Sequence, residues 1–246
     1  MPKFFIDKNT ISENRVSISG SDCSHLVKVL RVKEGDALTL CDGEGTDFDA
    51  VVRDVSKEQV GLEILNSYMC SAEPKISVVL FQGLPKQGKM DYIIEKCTEL
   101  GVSEIVPVAL HRCVSTVKDE KSEEKKLLRW RKIASESVKQ CKRGVIPSVS
   151  KVLSLKEAIE VAKGLDLCVA AYEDEREVSL KSVICAKTFK TIGIFIGPEG
   201  GLEPSEIEIL KNASIPAVTL GRRILRTETA GHTVLTAVMY ETGELG

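Results

Sequence analysis

From Lys75 onward, short apolar runs alternate with amphipathic ones, and this alternation limits the fold more than any other feature of the chain. "KISVVLFQ", "SEIVPVAL", "LDLCVAAY", "TIGIFI" and "AVTLG" read as strands. Between the first two, "KMDYIIEKCTEL" puts Met90, Ile93, Ile94, Cys97 and Leu100 at helical spacing, with Gly101 as its C′ stop. A long helix is expected from about Glu120 to Cys141, with Leu127, Leu128, Ile133, Ala134, Val138 and Cys141 on its inner face. "SLKE" at 154–157 is a capping box that opens a helix closed by Gly164. "VSLKSVICA" and "PSEIEILKNA" are further helices, and a last one begins near Thr227, a natural N-cap residue. Repeated strand–helix alternation implies an α/β domain with a mainly parallel sheet covered on both faces.

Residues 1–72 have a different texture. "RVSISG", "DALTLCDGEG" and "FDAVVRDV" read as strands between Gly and Asp turns, with one short helical piece at "SDCSHLVKVL". A small antiparallel β-barrel is expected there, and "SAEPKI" with Pro74 is the hinge into a second domain over 73–246. The longest apolar runs are too short to span a bilayer, and "MPKFFIDKNT" has no apolar h-region, so neither membrane nor secretory segment is expected. The eight cysteines show no C-x-x-C spacing, and His25, His111 and His232 are widely separated. No metal site is expected, and a cytoplasmic location suits the free thiols. The net charge of −2 means that any nucleic-acid surface must be a local patch.

Two segments carry candidate chemistry. "FIGPEGGLEPSEIEIL" places three glycines and a proline in the turn Gly197–Gly201, between a strand and a helix. In open α/β sheets, ligands sit at the carboxyl ends of strands. The turn lacks the lysine and hydroxyl of a phosphate loop, and Glu199 would repel a phosphate. A neutral or cationic ligand held by backbone groups fits it, as does an ordinary tight connection. "LGRRILRTETA" follows the next strand. Glu228 suits the first turn of a helix, whereas Arg222, Arg223 and Arg226 lie where positive charge is unfavourable. An anion or a polarised carbonyl oxygen nearby would account for at least one of them.

"IGPEGGLEPSEI" followed by "LGRRILRTETA" resembles the C-terminal signature of the SPOUT-superfamily methyltransferases that modify N3 of a uridine in 16S ribosomal RNA. "HLVKVLRVKEGD", "KMDYIIEKCTELGV" and "KQCKRGVIP" fit the same family in order, so the likeness spans nearly the whole chain. Leu202 stands where an aromatic is usual, and Glu203 where a serine is usual. The resemblance implies an N-terminal PUA-like β-barrel, a C-terminal SPOUT α/β domain with a deep trefoil knot, S-adenosyl-L-methionine as methyl donor, and a homodimer. It implies a partner in 16S ribosomal RNA or the assembled small ribosomal subunit. A SPOUT ribose 2′-O methyltransferase and a catalytically silent RNA-binding assembly factor are the alternatives.

On this reading, Gly197, Pro198, Glu199, Gly200 and Gly201, with Leu220, Gly221, Ile224, Leu225, Arg226 and Thr227, hold the cofactor. Ile196 and Ala171 join them from neighbouring strand ends. N3 of uridine is a poor nucleophile until its proton leaves, so a cation for charge on the uracil oxygens and a carboxylate for the proton are chemically sensible. Arg226 and Glu228 are the candidates. From Lys118 to Arg143 there are ten basic residues against five acidic ones, ending in the purely basic "KQCKRG". Lys139, Lys142 and Arg143, with Lys28, Arg31, Lys89 and Arg112, are the candidate RNA-binding residues. Few aromatic residues are present, which disfavours recognition by several stacked bases and suits one base turned out into a pocket.

Overall fold

The computed structural model describes residues 3–86, 88–115 and 119–245. The chain divides into two compact units. One takes in the residues up to Glu73 together with Val138–Ile146; the other runs from Pro74 to Ser137 and from Pro147 onward. The expected division after residue 72 is continuous, so it leaves Val138–Ile146 on the other side.

In the first unit, β1 (Lys3–Phe5), β2 (Arg15–Ser19), β3 (Ala37–Cys41), β4 (Thr46–Val55) and β5 (Gln59–Met69) form one sheet. Its order is β1-β3-β4-β5-β2. The pairings are antiparallel except β1 with β3, which is parallel. Alternate residues such as Val16, Ile18, Leu38, Leu40, Val60 and Leu62 form a single core, as period-2 side-chain direction requires. Helix α1 (Gly20–Ser24) runs into a π-helical segment, His25–Leu30, and buries Cys23 and Leu26 on that core. Arg31 ends it with a left-handed φ of 54°.

Glu73 holds the Val138–Ile146 segment in this unit. Its carboxylate accepts from Arg143 Nη2 at 2.9 Å and from the amides of Gly144 and Val145 at 2.7 and 2.9 Å. Arg143 is only 4% exposed.

The second unit is built on a parallel sheet of β6 (Ser77–Gly83), β7 (Glu104–Ala109), β8 (Ser148–Val149), β9 (Leu153–Ser154), β10 (Leu167–Ala171), β11 (Thr191–Ile196) and β12 (Ala217–Val218). The order is β12-β10-β11-β6-β7-β8, with β9 also on β7. Every pairing is parallel. The helices are α2 (Lys89–Glu99), α3 (Glu120–Cys141), whose end from Val138 onward belongs to the first unit, α4 (Leu155–Ala162), α5 (Leu180–Ile184), α6 (Pro204–Asn212) and α7 (Thr227–Glu241). β6 is buried from Val78 to Gly83 and β11 from Ile192 to Ile196, so both faces of these strands are covered. On one face Phe81 and Phe195 stack with ring centroids 4.3 Å apart, beneath residues of α4 and α6. α2 and α7 lie against each other.

Ser154 and Glu157 form the expected capping box, and Gly101 takes a φ of 94° just past α2. The inner face of α3 differs from expectation. Its buried residues are Trp130, Ala134, Ser137 and Val138, whereas Leu128 is 62% exposed. Two residues make about 200° of helix, so Leu128 lies opposite Trp130. All eight cysteines are free thiols.

Candidate active site

β12, β10 and β11 are neighbours, and the segments after them converge at their carboxyl ends. They enclose a cavity of about 360 Å³, within the size range of small-molecule sites. The turn after β11 contributes Gly197, Pro198, Glu199 and Gly201, with Ile196 at the strand end. The segment after β12 contributes Thr219, Leu220, Gly221, Arg223, Ile224, Leu225, Arg226 and Thr227. Ala171, Tyr172, Glu173 and Arg176 come from the end of β10 and the loop beyond it. Lys89, at the start of α2, and Ala230, on α7, complete the wall.

Every residue expected at the cofactor site is therefore on this wall except Gly200. Gly200 lies against Arg112, whose Nη1 donates to its carbonyl at 2.8 Å. Arg176 was not legible as a wall residue, because the pairing of β10 with β12 is what brings its loop in; Thr219 borders the expected segment and Ala230 ends it.

The glycines answer to close packing. A Cβ on Gly197 would lie 2.7 Å from the Gly201 carbonyl carbon and 2.8 Å from the Leu202 nitrogen. At Gly201 φ is 71°, and a Cβ would lie 2.1 Å from a carboxylate oxygen of Glu173. The turn is thus tight against its own backbone and against the β10 loop. Gly197→Ala should cost about 1–3 kcal/mol, because backbone must move to admit the methyl group. Gly164→Ala, whose Cβ would meet nothing closer than 3.5 Å, should change the melting temperature little. Thermal unfolding of the two variants checks this.

Thr227 is not the N-cap. Arg226 holds that position, in extended conformation (φ −67°, ψ 153°), and Thr227 is the first helical residue. Its hydroxyl donates to the Gly197 carbonyl at 2.6 Å and accepts from Gln82 Nε2 at 2.9 Å. Buried to 5% exposure, it ties the end of β6, the glycine turn and the start of α7 at one atom.

The electrostatics centre on Lys89. Its Nζ lies 2.9 Å from Glu228 Oε2 and 3.2 Å from Glu199 Oε1. The hydrogen bond to Glu228 leads in pushing the Lys89 ammonium above its ordinary value. Burial alone would push the Glu228 carboxyl up. The hydrogen bond from Lys89, its own backbone N–H and the Arg226 charge outweigh that, so the group lies below the usual carboxylate value. Glu199 is likewise lowered: burial opposes, while the Lys86 and own amides and Lys89 prevail. The Lys86 amide donates to Glu199 Oε1 at 3.0 Å. Glu228 is not itself on the cavity wall; it stands behind Lys89. A base working near neutrality needs a raised pKa, and here the shift runs the other way.

The expected RNA-binding residues divide. Lys28, Arg31 and Lys142 are exposed. Lys139 pairs with Asp22 at 3.0 Å. Arg112 is exposed but holds the Gly200 carbonyl. Lys89 sits between two carboxylates. Arg143 is a correction: buried in its ion pair with Glu73, it has no surface to offer a phosphate. Lys118, counted in the basic stretch, lies outside the described residues. Among the described residues, no group of three or more His, Cys, Asp or Glu could hold a metal ion. No helix among them is long and apolar enough to cross a membrane.

The chain matches the family model described as RNA methyltransferase domain over residues 72–239, and the one described as RNA methyltransferase PUA domain over 18–65. It is 36% identical over 250 residues to the ribosomal RNA small subunit methyltransferase E of Bacillus subtilis, with 98% of this chain and 97% of that one covered. A solved ribosomal RNA small subunit methyltransferase E from Neisseria gonorrhoeae, bound to S-adenosyl methionine, aligns with a TM-score of 0.85 at 30% identity, covering 98% of each chain. A putative methyltransferase from Legionella pneumophila in complex with the same cofactor aligns at 0.84 and 27% identity, covering 97% of each. The N-terminal sheet is PUA-like, and the parallel sheet carries the methyltransferase fold.

Proposed function

Because the chain belongs to the RNA methyltransferase family, we propose that it transfers a methyl group from S-adenosyl-L-methionine to N3 of a uridine in 16S ribosomal RNA of the small subunit. The observation that carries this reading is the cavity between the glycine turn and the "LGRRILRTETA" segment. Its wall suits a molecule with an apolar ring system and charges of both signs. Ile196, Leu220, Ile224 and Leu225 supply apolar surface, and Ile224 is 80% exposed beside it. Glu173 and Glu199 supply negative charge, and Arg176 and Arg223 positive charge.

The cofactor, when bound, supplies a methyl group already activated by its sulfonium charge, so no metal is needed. Backbone groups of Gly197–Gly201 and Leu220–Leu225 hold it, and the walls align the reactants. Arg226, on the wall, meets charge that develops on a uracil oxygen as the N3 proton leaves. Glu228 remains part of the machinery, through Lys89. The same proposal includes a trefoil knot around the glycine turn, a homodimer, a cytoplasmic location and the small ribosomal subunit as substrate.

RNA meets the exposed cations Lys28, Arg31 and Lys142, and Lys139 and Arg112 are further candidates. Each phosphate contact adds roughly −0.7 to −0.9 to the slope of log affinity against log salt. Lys142→Ala should therefore reduce that slope by about one, measured by filter binding across a salt series. Salt-independent binding would contradict the picture. Calorimetry with S-adenosyl-L-methionine tests the cofactor site itself: saturable binding is expected, and its absence would favour a silent RNA-binding factor.

A further inference from the structure

We propose that Lys89 is a second cation, in addition to Arg226, that meets a carbonyl oxygen of the methyl acceptor, and that Glu228 and Glu199 act by aiming it. This deepens the functional reading above and rests on it. Lys89 is on the cavity wall and Glu228 is not. The Lys89 side chain is 30% exposed, whereas that of Glu228 is 16% exposed. An ammonium has three N–H donors. The Lys89 Nζ lies within ion-pair distance of Glu228 at 2.9 Å and Glu199 at 3.2 Å, from two different elements, while the side chain remains on the cavity wall, where it can turn a donor to a ligand.

The placement is costly for a merely structural lysine. Lys89 is the first residue of α2, after Gly88, which provides no side-chain cap. A cation at that end opposes the helix dipole. Two carboxylates from outside the helix offset this and fix the long side chain in one direction. With Glu228 as its strongest partner, Lys89 stays protonated, so it works as a cation and not as a base. The groups facing Glu228 are Lys89 from α2, with Arg226 and His232 from its own segment; Glu199 joins them through Lys89.

The step is a deprotonation. The N3–H bond breaks and its proton passes to water. The electron pair left on the ring spreads onto the two carbonyl oxygens, where Lys89 and Arg226 meet it. Glu228 accepts no proton.

The test uses the full chain. Lys89→Met should lower kcat about 10²-fold, as loss of one oxyanion donor does, with KM for RNA and the salt slope little changed. Lys89→Arg should restore part of the rate. The decisive comparison is the double variant Lys89→Met with Glu228→Gln. If Glu228 acts through Lys89, the double variant is no slower than Lys89→Met alone. If the two losses multiply, Glu228 works independently and the proposal fails. It also fails if Lys89→Met changes the salt slope by about one and leaves kcat intact, which would mark a phosphate contact.

A readout in the free protein separates this failure from failure of the functional reading. Carbon-13 titration of the glutamate carboxyls should show the Glu228 midpoint rising in Lys89→Met, and the Glu199 midpoint rising less because the Lys86 amide still holds it. Unmoved midpoints would remove the clamp, whatever the enzyme turns over. Risen midpoints without methyl transfer to 16S RNA by the wild type would leave the clamp standing and sink the substrate.

Discussion

Arg226→Ala should lower kcat for methyl transfer by about 10²–10³-fold while leaving the affinity for S-adenosyl-L-methionine within a few-fold. Arg226 is the N-cap residue of α7, held extended with no side-chain cap of its own. Its side chain is exposed and on the cavity wall. Among the described residues it has no ion-pair partner within 4.0 Å, and it sits at the helix end where a cation is disfavoured. A charge that appears only as the acceptor loses its proton would use it, so the loss falls on kcat. Arg226→Lys should recover only part of the rate, because an ammonium does not reproduce the planar fork. Stopped assays with saturating RNA, alongside calorimetry, measure both quantities. Wild-type turnover in Arg226→Ala would remove this residue from the mechanism.

Arg143→Ala should cost about 3–5 kcal/mol of stability, read by chemical denaturation, and should leave the salt slope of RNA binding unchanged. The Arg143 and Glu73 side chains are 5% and 17% exposed in their ion pair. Truncating the arginine strands a largely buried carboxylate. Because Glu73 keeps the amides of Gly144 and Val145, the lower end of that range is expected. Lys142→Ala, one residue away and exposed, should do the reverse: little loss of stability and a shallower salt slope. A stable Arg143→Ala protein with weakened RNA binding would return Arg143 to the nucleic-acid surface.

These two arginines show what the sequence could and could not convey. The cavity was legible because its two main segments are local objects: a glycine-rich turn after one apolar run, and an arginine-rich segment after the next. Strand-end position assigns both to one side of a parallel sheet. The helices α2, α3, α4 and α7 were legible for the same reason, since caps and 3.6-residue spacing are short-range signals.

What was not legible depends on partners far along the chain. "KQCKRG" looks uniformly basic, yet one of its cations is buried by a glutamate 70 residues earlier. Thr227 has the composition of a cap, but its hydroxyl is taken by Gln82, 145 residues away. Glu228 looks like a first-turn acid or a base; its ion pair with Lys89 on another helix makes it neither alone. Strand β5 carries a weak signal although Val60, Leu62 and Ile64 alternate through it, because its second half is exposed and bulged against β4. The parallel pairing of β1 with β3 had no local signature at all.

In the proposed reaction the cavity presents a methyl group to a pyrimidine nitrogen. Its most direct test supplies the wild-type chain with methyl-labelled S-adenosyl-L-methionine and small ribosomal subunits from cells that lack this protein. The 16S RNA is then digested and the labelled nucleoside identified by mass spectrometry. Label on N3 of a single uridine is expected; label on a ribose oxygen, or none above background, would rule the proposed reaction out.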